Sequence, residues 1–404
     1  MARSDQLILV ANPGSSSRKY AVYDAETLEV QAALHFELKH GTVVCTLHQD
    51  AQSRTIACAA ATIAEATQEL VAILTSEKIL VTGKSVSAIG LRVVAPSAFF
   101  MQDHIMNDVA TAKLGELEHL APLHIAATLQ ELGSLRSHFP DATIIGVSDS
   151  AFHRTKPNYA WNYGINLADA DRLDIKRFGY HGLSAEAVAT ILWNKGKLPP
   201  KVIICHLGSG SSVTGVFHGR SIDTTMGFTP NEGIIMATRS GSIGPDAVKA
   251  LQTGLGLDDT AVEQYLNTKS GLLGLADSND IRELLSREAE GDHSAHLALT
   301  TLIHTIHKSI GGMLVALNGC DLLVFTGTAG ERSAVLRKRI VAHLEFADFI
   351  LDGDLNDTCT DPESFTIVSQ AAKSKPIVVI PADENRAIAQ HTVAMKASAA
   401  SETR

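Results

Sequence analysis

The sequence predicts an α/β fold, duplicated into two lobes with mixed sheets, and three observations carry that expectation. The chain has 404 residues, more than one hydrophobic core ordinarily supports, so two domains of roughly 150 to 220 residues are expected. Two strand-loop-strand segments of matching length, Leu7 to Asp24 and Val202 to Gly219, open the two halves. Further apolar strands and Ala- or Leu-rich helical runs follow in both.

The paired segments come first. In LILVANPGSSSRKYAVYD and VIICHLGSGSSVTGVFHG an apolar strand is interrupted by a Gly/Ser loop and then resumes. A glycine-rich turn lets several N–H and hydroxyl donors converge without obstruction by side chains, which makes it an oxyanion cradle. Such turns also serve merely to connect strands. A pair at equivalent places in two halves argues for a grip on successive phosphates and for a duplicated fold. A third loop, FTGTAGERS from Phe325 to Ser333, follows the strand Leu322 to Phe325 and precedes a helical run from Ala334 to Glu345. That order sets a helix N-terminus beside a glycine turn, and both nucleotide contact and plain connection fit it.

Helices are expected at Leu183 to Lys195, with Ser184 as cap and Gly196 at the stop, and from Pro245 to the Gly254 region. A long apolar helix is expected from His304 to Leu317, where Gly311 and Gly312 mark close packing. The lobe boundary falls near residue 150, after the strand Thr143 to Val147, giving lobes of 1–150 and 151–384. The tail Lys396 to Arg404 is small and polar and is expected to fray. Asp352, Asp354, Asn356 and Glu363 fall at offsets resembling a calcium loop, but Asp357 stands where glycine is required and Pro362 interrupts the run. The segment reads as a solvated turn.

Composition excludes several classes. With 45% apolar and 19% charged residues the chain is ordinary for a globular protein. Its net charge of -10 is spread without runs of one sign, so nucleic acid is a poor candidate partner. Cys45, Cys58, Cys205, Cys320 and Cys359 are dispersed, with no CxxC, which suits a reducing compartment such as the cytoplasm. The apolar run Leu7 to Ala11 is too short for a signal peptide core. No stretch approaches the roughly 18 to 20 apolar residues of a membrane helix.

Candidates for chemistry cluster around the cradles. Arg92 ends the apolar stretch Ser87 to Val94, and Arg239 lies in DTTMGFTPNEGIIMATRSGSIGP. The loose transition state of phosphoryl transfer spreads charge over equatorial oxygens, which guanidinium groups match in geometry. Asp149 and Glu384 each follow a strand, where a carboxylate can hold magnesium through water. His124, His153 and His181 sit beside aromatic residues or proline. A single histidine is more often structural, and no HExxH pair argues for zinc.

Taken in order, the strings NPGSSSRK, LRVV, LAPLH, DSAFH, FGYHG, HLGSGSS, DTTMGFTPNEG, TRSG, KSGLLG and IPADE resemble the acetate and propionate kinase family, from Leu7 to about Ala389. That family belongs to the superfamily of acetate and sugar kinases, heat-shock proteins and actin. The resemblance implies an actin-like (ribonuclease H-like) two-lobed fold with an interlobe cleft, a C-terminal helix of about 385–404 folded back on the first lobe, and a homodimer. It implies reversible transfer of the ATP γ-phosphoryl group to acetate or propionate, giving acyl phosphate and ADP, with Mg2+ or alternatively Mn2+. By the same resemblance Asn12 and Glu384 are metal residues, with Asp149 beside them. Lys19, supported by Ser15 and Ser17, belongs to the first phosphate hairpin, and His206, Gly208, Ser209, Gly210 and Ser212 to the second. Thr328, Gly330, Glu331 and Arg332 fall in the nucleotide loop. Arg92, Arg239, Asp149 and His181 are implied to be catalytic, with His124 in support, and Val94, Leu123, Tyr180 and Pro230 line the acyl pocket.

The chain departs from the family pattern in places. Leu91 to Ser97 reads LRVVAPS where the family has His-Arg-Val-Val-His-Gly-Gly. Ile125 and Ala126 replace Asn-Pro, Tyr180 stands for the usual Phe, Ser209 for Asn, and GSIGP at Gly241 to Pro245 lacks both family aspartates. TAGER at Thr328 to Arg332 replaces Gly-Ile-Gly-Glu-Asn. Thr328 adds a side chain where bare backbone normally approaches adenosine, and Arg332 offers a charge to a phosphate. Another donor such as pyrophosphate, or a weakly catalytic nucleotide-binding paralogue, are the alternatives these changes raise.

Overall fold

The computed structural model describes residues 5–14, 17–39, 41–50 and 52–402, with the side chains of 122–124, 400 and 402 left aside. The chain divides into two compact units, Met1–Ala151 with Asp383–Arg404, and Phe152–Ala382.

The first unit holds one mixed sheet. Its strands are β1 (Gln6–Pro13), β2 (Ser17–Asp24), β3 (Val30–Lys39), β4 (Thr42–Gln49), β5 (Gln52–Ile56), β6 (Ser85–Val93), β7 (His104–Ile105) and β8 (Thr143–Ser148). Their order is β5-β4-β3-β2-β1-β6-β8-β7. β1 to β5 form an antiparallel meander, while β1, β6 and β8 run parallel. Parallel neighbours need crossovers, and the helices Ala66–Ser76 and Pro122–His138 lie in these connections. Central β1 is buried from Leu7 through Asn12, which explains its unbroken apolar run. The helix Glu384–Glu402 packs on the same sheet. A Cβ on Gly90 of β6 would lie 2.6 Å from Ile388 Cγ2 and nearer still to Thr392 Oγ1, so only glycine admits the helix at that distance.

The second unit contains β9 (Lys201–Leu207), β10 (Ser211–Phe217), β11 (Arg220–Thr224), β12 (Leu322–Thr326), β13 (Thr366–Ile367) and β14 (Ile377–Val379), ordered β11-β10-β9-β12-β14-β13. The run β11-β10-β9-β12-β14 repeats β3-β2-β1-β6-β8: three antiparallel strands, then two parallel ones. The duplication read from two hairpins is thus a repeated sheet topology. The actin-like two-lobed fold fits this repeat.

Several boundaries differ from the sequence expectation. The helix expected from His304 begins at His293, where Asp292 accepts the N–H groups of Ser294 and Ala295. The helix expected to Glu345 stops at Val341. Ser184 is not a cap: its helix starts at Gly182 behind His181, and its hydroxyl pairs with His206 instead. The tail does not fray before Glu402, since the last helix runs to that residue. No helix among the described residues is long and apolar enough to cross a membrane, and all five cysteines are free thiols.

Candidate active site

In the first unit the proposed polar residues sit at strand ends. Asn12 lies at the end of β1, Arg92 near the end of β6, and Asp149 just beyond β8. Glu384 opens the last helix. Arg92 gathers them: Nη2 donates to Asp149 Oδ2 at 2.8 Å, and Nη1 reaches Asn12 Oδ1 at 3.2 Å and Glu384 Oε2 at 3.5 Å. Asn12 Nδ2 closes the ring by donating to Glu384 Oε2 at 3.0 Å. Burial works against the Arg92 charge, but Asp149 and Glu384 outweigh it and hold its pKa above the ordinary value. Lys19 pairs in register with Asn12 across the hairpin, with its side chain exposed. Ser17 starts β2, and Ser15 lies outside the described residues. Val94 follows β6, half-buried. Leu123 and His124 fall in the first turn of Pro122–His138 rather than in the loop expected for His124, and their side chains lie outside the described residues.

The oxygens around Arg92 are one amide carbonyl and two carboxylates. Such hard donors suit a small divalent ion that keeps several waters, better than zinc. Among the described residues no group of three or more His, Cys, Asp or Glu could enclose a metal.

In the second unit a tighter constellation forms around the β9–β10 hairpin. A Cβ on Gly210 would stand 3.1 Å from His181 Nε2 and 3.6 Å from Arg239 Nη1. The bare turn therefore admits both side chains. His181 adopts φ 57° ahead of the helix Gly182–Asn194, its Nδ1 lies 3.0 Å from Ser212 Oγ, and its ring packs on His206 at 4.2 Å between centroids. His206 Nδ1 in turn meets Ser184 Oγ at 2.7 Å. Ser209 accepts the Ala237 N–H through its carbonyl, tying the hairpin to the segment that carries Arg239. Arg239 Nη1 donates to the Pro230 carbonyl at 3.3 Å.

Beside this hairpin lies the third loop, which the structure turns into a helix, Gly327–Arg332. Gly327 takes φ 78°, and a Cβ there would lie 2.7 Å from the Leu207 carbonyl oxygen. A Cβ on Gly208 would come 3.9 Å from Thr328 N, so the hairpin tip and this helix start share one place. Thr328 is exposed and Gly330 buried. Arg332 is engaged otherwise than the sequence suggests, pairing with Asp361 at 2.7 Å. Glu331 also turns inward. Its Oε1 accepts the N–H groups of Gly327 and Ala382 at 2.8 and 3.0 Å, and burial raises its pKa. It braces the loop by tying the helix start to the Ala382 backbone.

The sequence assigned no role to Tyr163, Arg177, Phe228 or Glu232, and to Tyr180 only a place in the acyl pocket. The Phe228 N–H donates to Tyr163 Oη at 2.8 Å, and its carbonyl accepts from Tyr180 Oη at 2.6 Å. Tyr163 Oη donates to Glu232, which also pairs with Arg177 at 2.7 Å. The peptide groups on either side of Phe228 are both fixed, two residues before Pro230. Tyr180 is thus fully buried, its hydroxyl used on backbone where a Phe could make no such bond. Ile281 and Met236, with Leu207, Gly208, Ser211 and Ala329, line a small recess under the hairpin and third loop. Ile281 opens a helix behind the Asp280 cap.

Comparison with known proteins agrees with this architecture. The model of the Acetokinase family matches residues 7–390. Acetate kinase from Dichelobacter nodosus is 36% identical over 96% of this chain and 98% of its own, and acetate kinase from Clavibacter sepedonicus is 38% identical over 96% and 98%. The crystal structure of a propionate kinase from Francisella tularensis superposes with a TM-score of 0.86 at 32% identity, over 96% of this chain and 99% of that one. Porphyromonas gingivalis acetate kinase gives 0.83 at 28% identity, over 97% and 100%. With the family model matched from residue 7 to residue 390 and such relatives alike along nearly their whole length, the chain belongs to the acetokinase family.

Proposed function

We propose that this protein is an ATP-dependent short-chain fatty acid kinase, moving the γ-phosphoryl group of ATP reversibly to acetate or propionate to give acyl phosphate and ADP. Membership of the family supports the reaction class, a phosphotransferase with a carboxyl acceptor. The observation that carries the assignment of residues is the meeting of His181 and Arg239 over the Gly210 turn. Two groups able to bear positive charge there flank a tip whose backbone leaves room for an anion.

The residues divide the work. In the second unit the hairpin Gly208–Ser212, with His206 and Thr328 beside it, holds the nucleotide phosphates, while Arg239 and His181 neutralise the phosphoryl group in flight. In the first unit Arg92 takes the acid's carboxylate, kept charged and aimed by Asp149, and Lys19 reaches phosphate from the first hairpin. Val94, two residues after Arg92, supplies apolar surface for the acyl tail. The acceptor is a carboxylate already ionised at neutral pH, so no general base is required. Alignment and fixed charge supply the rate. Asn12 and Glu384 would hold the divalent ion, for which we propose Mg2+ with Mn2+ as substitute, and its chemistry is charge neutralisation on the phosphates. The protein is further proposed to work in the cytoplasm as a homodimer, with no nucleic-acid or membrane partner.

The test traps acyl phosphate as hydroxamate from purified protein, MgATP or pyrophosphate, and acetate, propionate or butyrate. Product is expected with ATP and the two shorter acids. Arg239→Ala should lower turnover by more than about 100-fold with the thermal midpoint unchanged. No hydroxamate with any pair, in either direction, overturns the reaction, and near-normal turnover in the variant overturns the residue assignment.

A further inference from the structure

Arg18 is an unusual residue for its place. It lies in β2 between Ser17 and Lys19, and strand alternation turns Lys19 outward and Arg18 into the core of the first unit. Its side chain is 6% exposed. Inside, Nε faces Glu131 Oε2 at 3.4 Å, and Nη1 donates to the carbonyls of Gly14 and Ser17 at 2.6 and 3.4 Å. Glu131, on the helix Pro122–His138, is buried as deeply, accepting from Tyr20 Oη at 2.9 Å and from Thr67 Oγ1 at 2.8 Å. Thr67 belongs to the helix Ala66–Ser76. One buried carboxylate therefore joins two helices to a guanidinium whose other end holds the neck of the first hairpin, where Gly14 N–H already meets the Ser17 carbonyl at 2.9 Å.

As a stabilising device this arrangement is poor. Taking two ions out of water is expensive, and well-packed apolar residues of similar volume commonly do as well or better. What apolar residues cannot do is hold two backbone carbonyls at the base of a turn.

We propose that Arg18 and Glu131 are positioning residues that fix the neck of the first phosphate hairpin, so that their buried ion pair serves turnover rather than stability. The inference rests on the kinase reading of that hairpin. It assigns to the core side of β2 a control over nucleotide phosphates bound from its outer side. Because Glu131 shares a helix with Leu123 and His124, the same carboxylate keeps that helix and the hairpin in one register.

The test compares the full-length wild type, Arg18→Lys, and the double variant Arg18→Leu/Glu131→Leu. The double variant removes both buried charges, and Tyr20 Oη and Thr67 Oγ1, 2.9 Å apart, remain to satisfy each other. Measured are the thermal midpoint, kcat and KM for MgATP and for acetate, and the Kd of MgADP by calorimetry. The double variant is expected to keep the wild-type midpoint or exceed it while losing about 100-fold in kcat/KM for MgATP, the usual effect of an ångström-scale misplacement. Its KM for acetate should stay within about twofold. Arg18→Lys should fall between, since an ammonium reaches Glu131 or the neck carbonyls but not both. A double variant with wild-type kcat/KM for MgATP, or losses that track the thermal midpoint, would overturn the proposal. If the double variant does not fold, Arg18→Lys decides by the same split. If the wild type makes no acyl phosphate the kinase reading fails first, and unchanged MgADP affinity in the variants then removes this inference as well.

Discussion

Lowering the pH from 7 to 5 should weaken the second unit, and one identifiable share of the loss belongs to His153. Its imidazole is fully buried, with Nε2 2.9 Å from the Tyr180 carbonyl and Nδ1 2.8 Å from Ser221 Oγ. In the neutral ring Nε2–H donates to that carbonyl and Nδ1 accepts from the serine, so protonation adds a charge without adding a needed bond. Burial, reinforced by the neighbouring Lys156 charge and only partly offset by the Tyr180 carbonyl, pushes its pKa from 6.5 down to about 3. A folded-state value below the unfolded one means the unfolded chain binds the extra proton between those limits. Stability from this group is therefore full above pH 6.5 and is lost as pH falls toward 3. The loss amounts to about 2 kcal/mol at pH 5.

The assay can be confined to the right unit, because the chain's two tryptophans, Trp161 and Trp193, both lie in it. Urea unfolding followed by tryptophan fluorescence should show the wild type losing about 2 kcal/mol more between pH 7 and pH 5 than His153→Gln, whose amide can still donate to the Tyr180 carbonyl. Other groups titrate alike in both proteins and cancel. Equal losses in the two proteins, or a proton NMR titration of the His153 ring near its ordinary value, would refute the reasoning. The result also bears on chemistry, since the carbonyl held by His153 precedes His181.

Gly227→Ala should disturb the site without touching a reacting group. Its Cβ would fall within 2.5 Å of Tyr163 Oη and closer still to Glu232 Oε2, costing about 1 to 3 kcal/mol in overpacking and, by displacing the Phe228–Pro230 segment, lowering turnover at least about 10-fold. A thermal midpoint and kcat both at wild-type values would contradict it. Lys156 supplies the opposite pH signature to an ordinary lysine. Burial lowers its pKa from 10.5 to about 8, so the unfolded state binds more protons between those values and stability rises with pH across them. Relative to Lys156→Met, the wild type should gain about 2 kcal/mol of unfolding free energy from pH 8 to pH 10, and parallel pH curves for the two proteins would exclude this.

The legible part of the sequence was what local chemistry writes into neighbouring residues. β1 and β9 are apolar because both faces are covered, and each ends where Asn12 or His206 turns polar. Strand followed by polar residue also marked Arg92, Asp149 and Glu384, and the first-unit cluster joins them with Asn12 around Arg92. The start of His293–Ala316 was missed although Ala295, Ala298, Leu299, Leu302 and Ile303 form a buried stripe in its first turns; its cap, Asp292, sits in a charged stretch. In the third loop Gly327 and Gly330 read as turn, yet Glu331 reaches back to the Gly327 N–H and closes a helical turn there. That side-chain bond holds the turn helical despite the propensity of glycine.

What could not be read were the partners that aim the reactive groups, and the reason is topological. Arg18, Glu131 and Thr67 stand on three elements, and their meeting depends on how the two helices lie on the sheet. Tyr163, Arg177 and Glu232 reach the Phe228 peptide from segments far apart in sequence. The same geometry accounts for the changed motifs. At LRVVAPS the residues Ala95 and Ser97 are buried, and Ser97 Oγ accepts the Phe99 N–H, so that stretch has become structural while Arg92 beside it keeps both carboxylates. Asn12, Arg92 and Asp149, proposed for the site, sit at strand ends and stay visible through such replacements. The residues that hold them in place are spread over the core, where alternation alone would have called for something apolar.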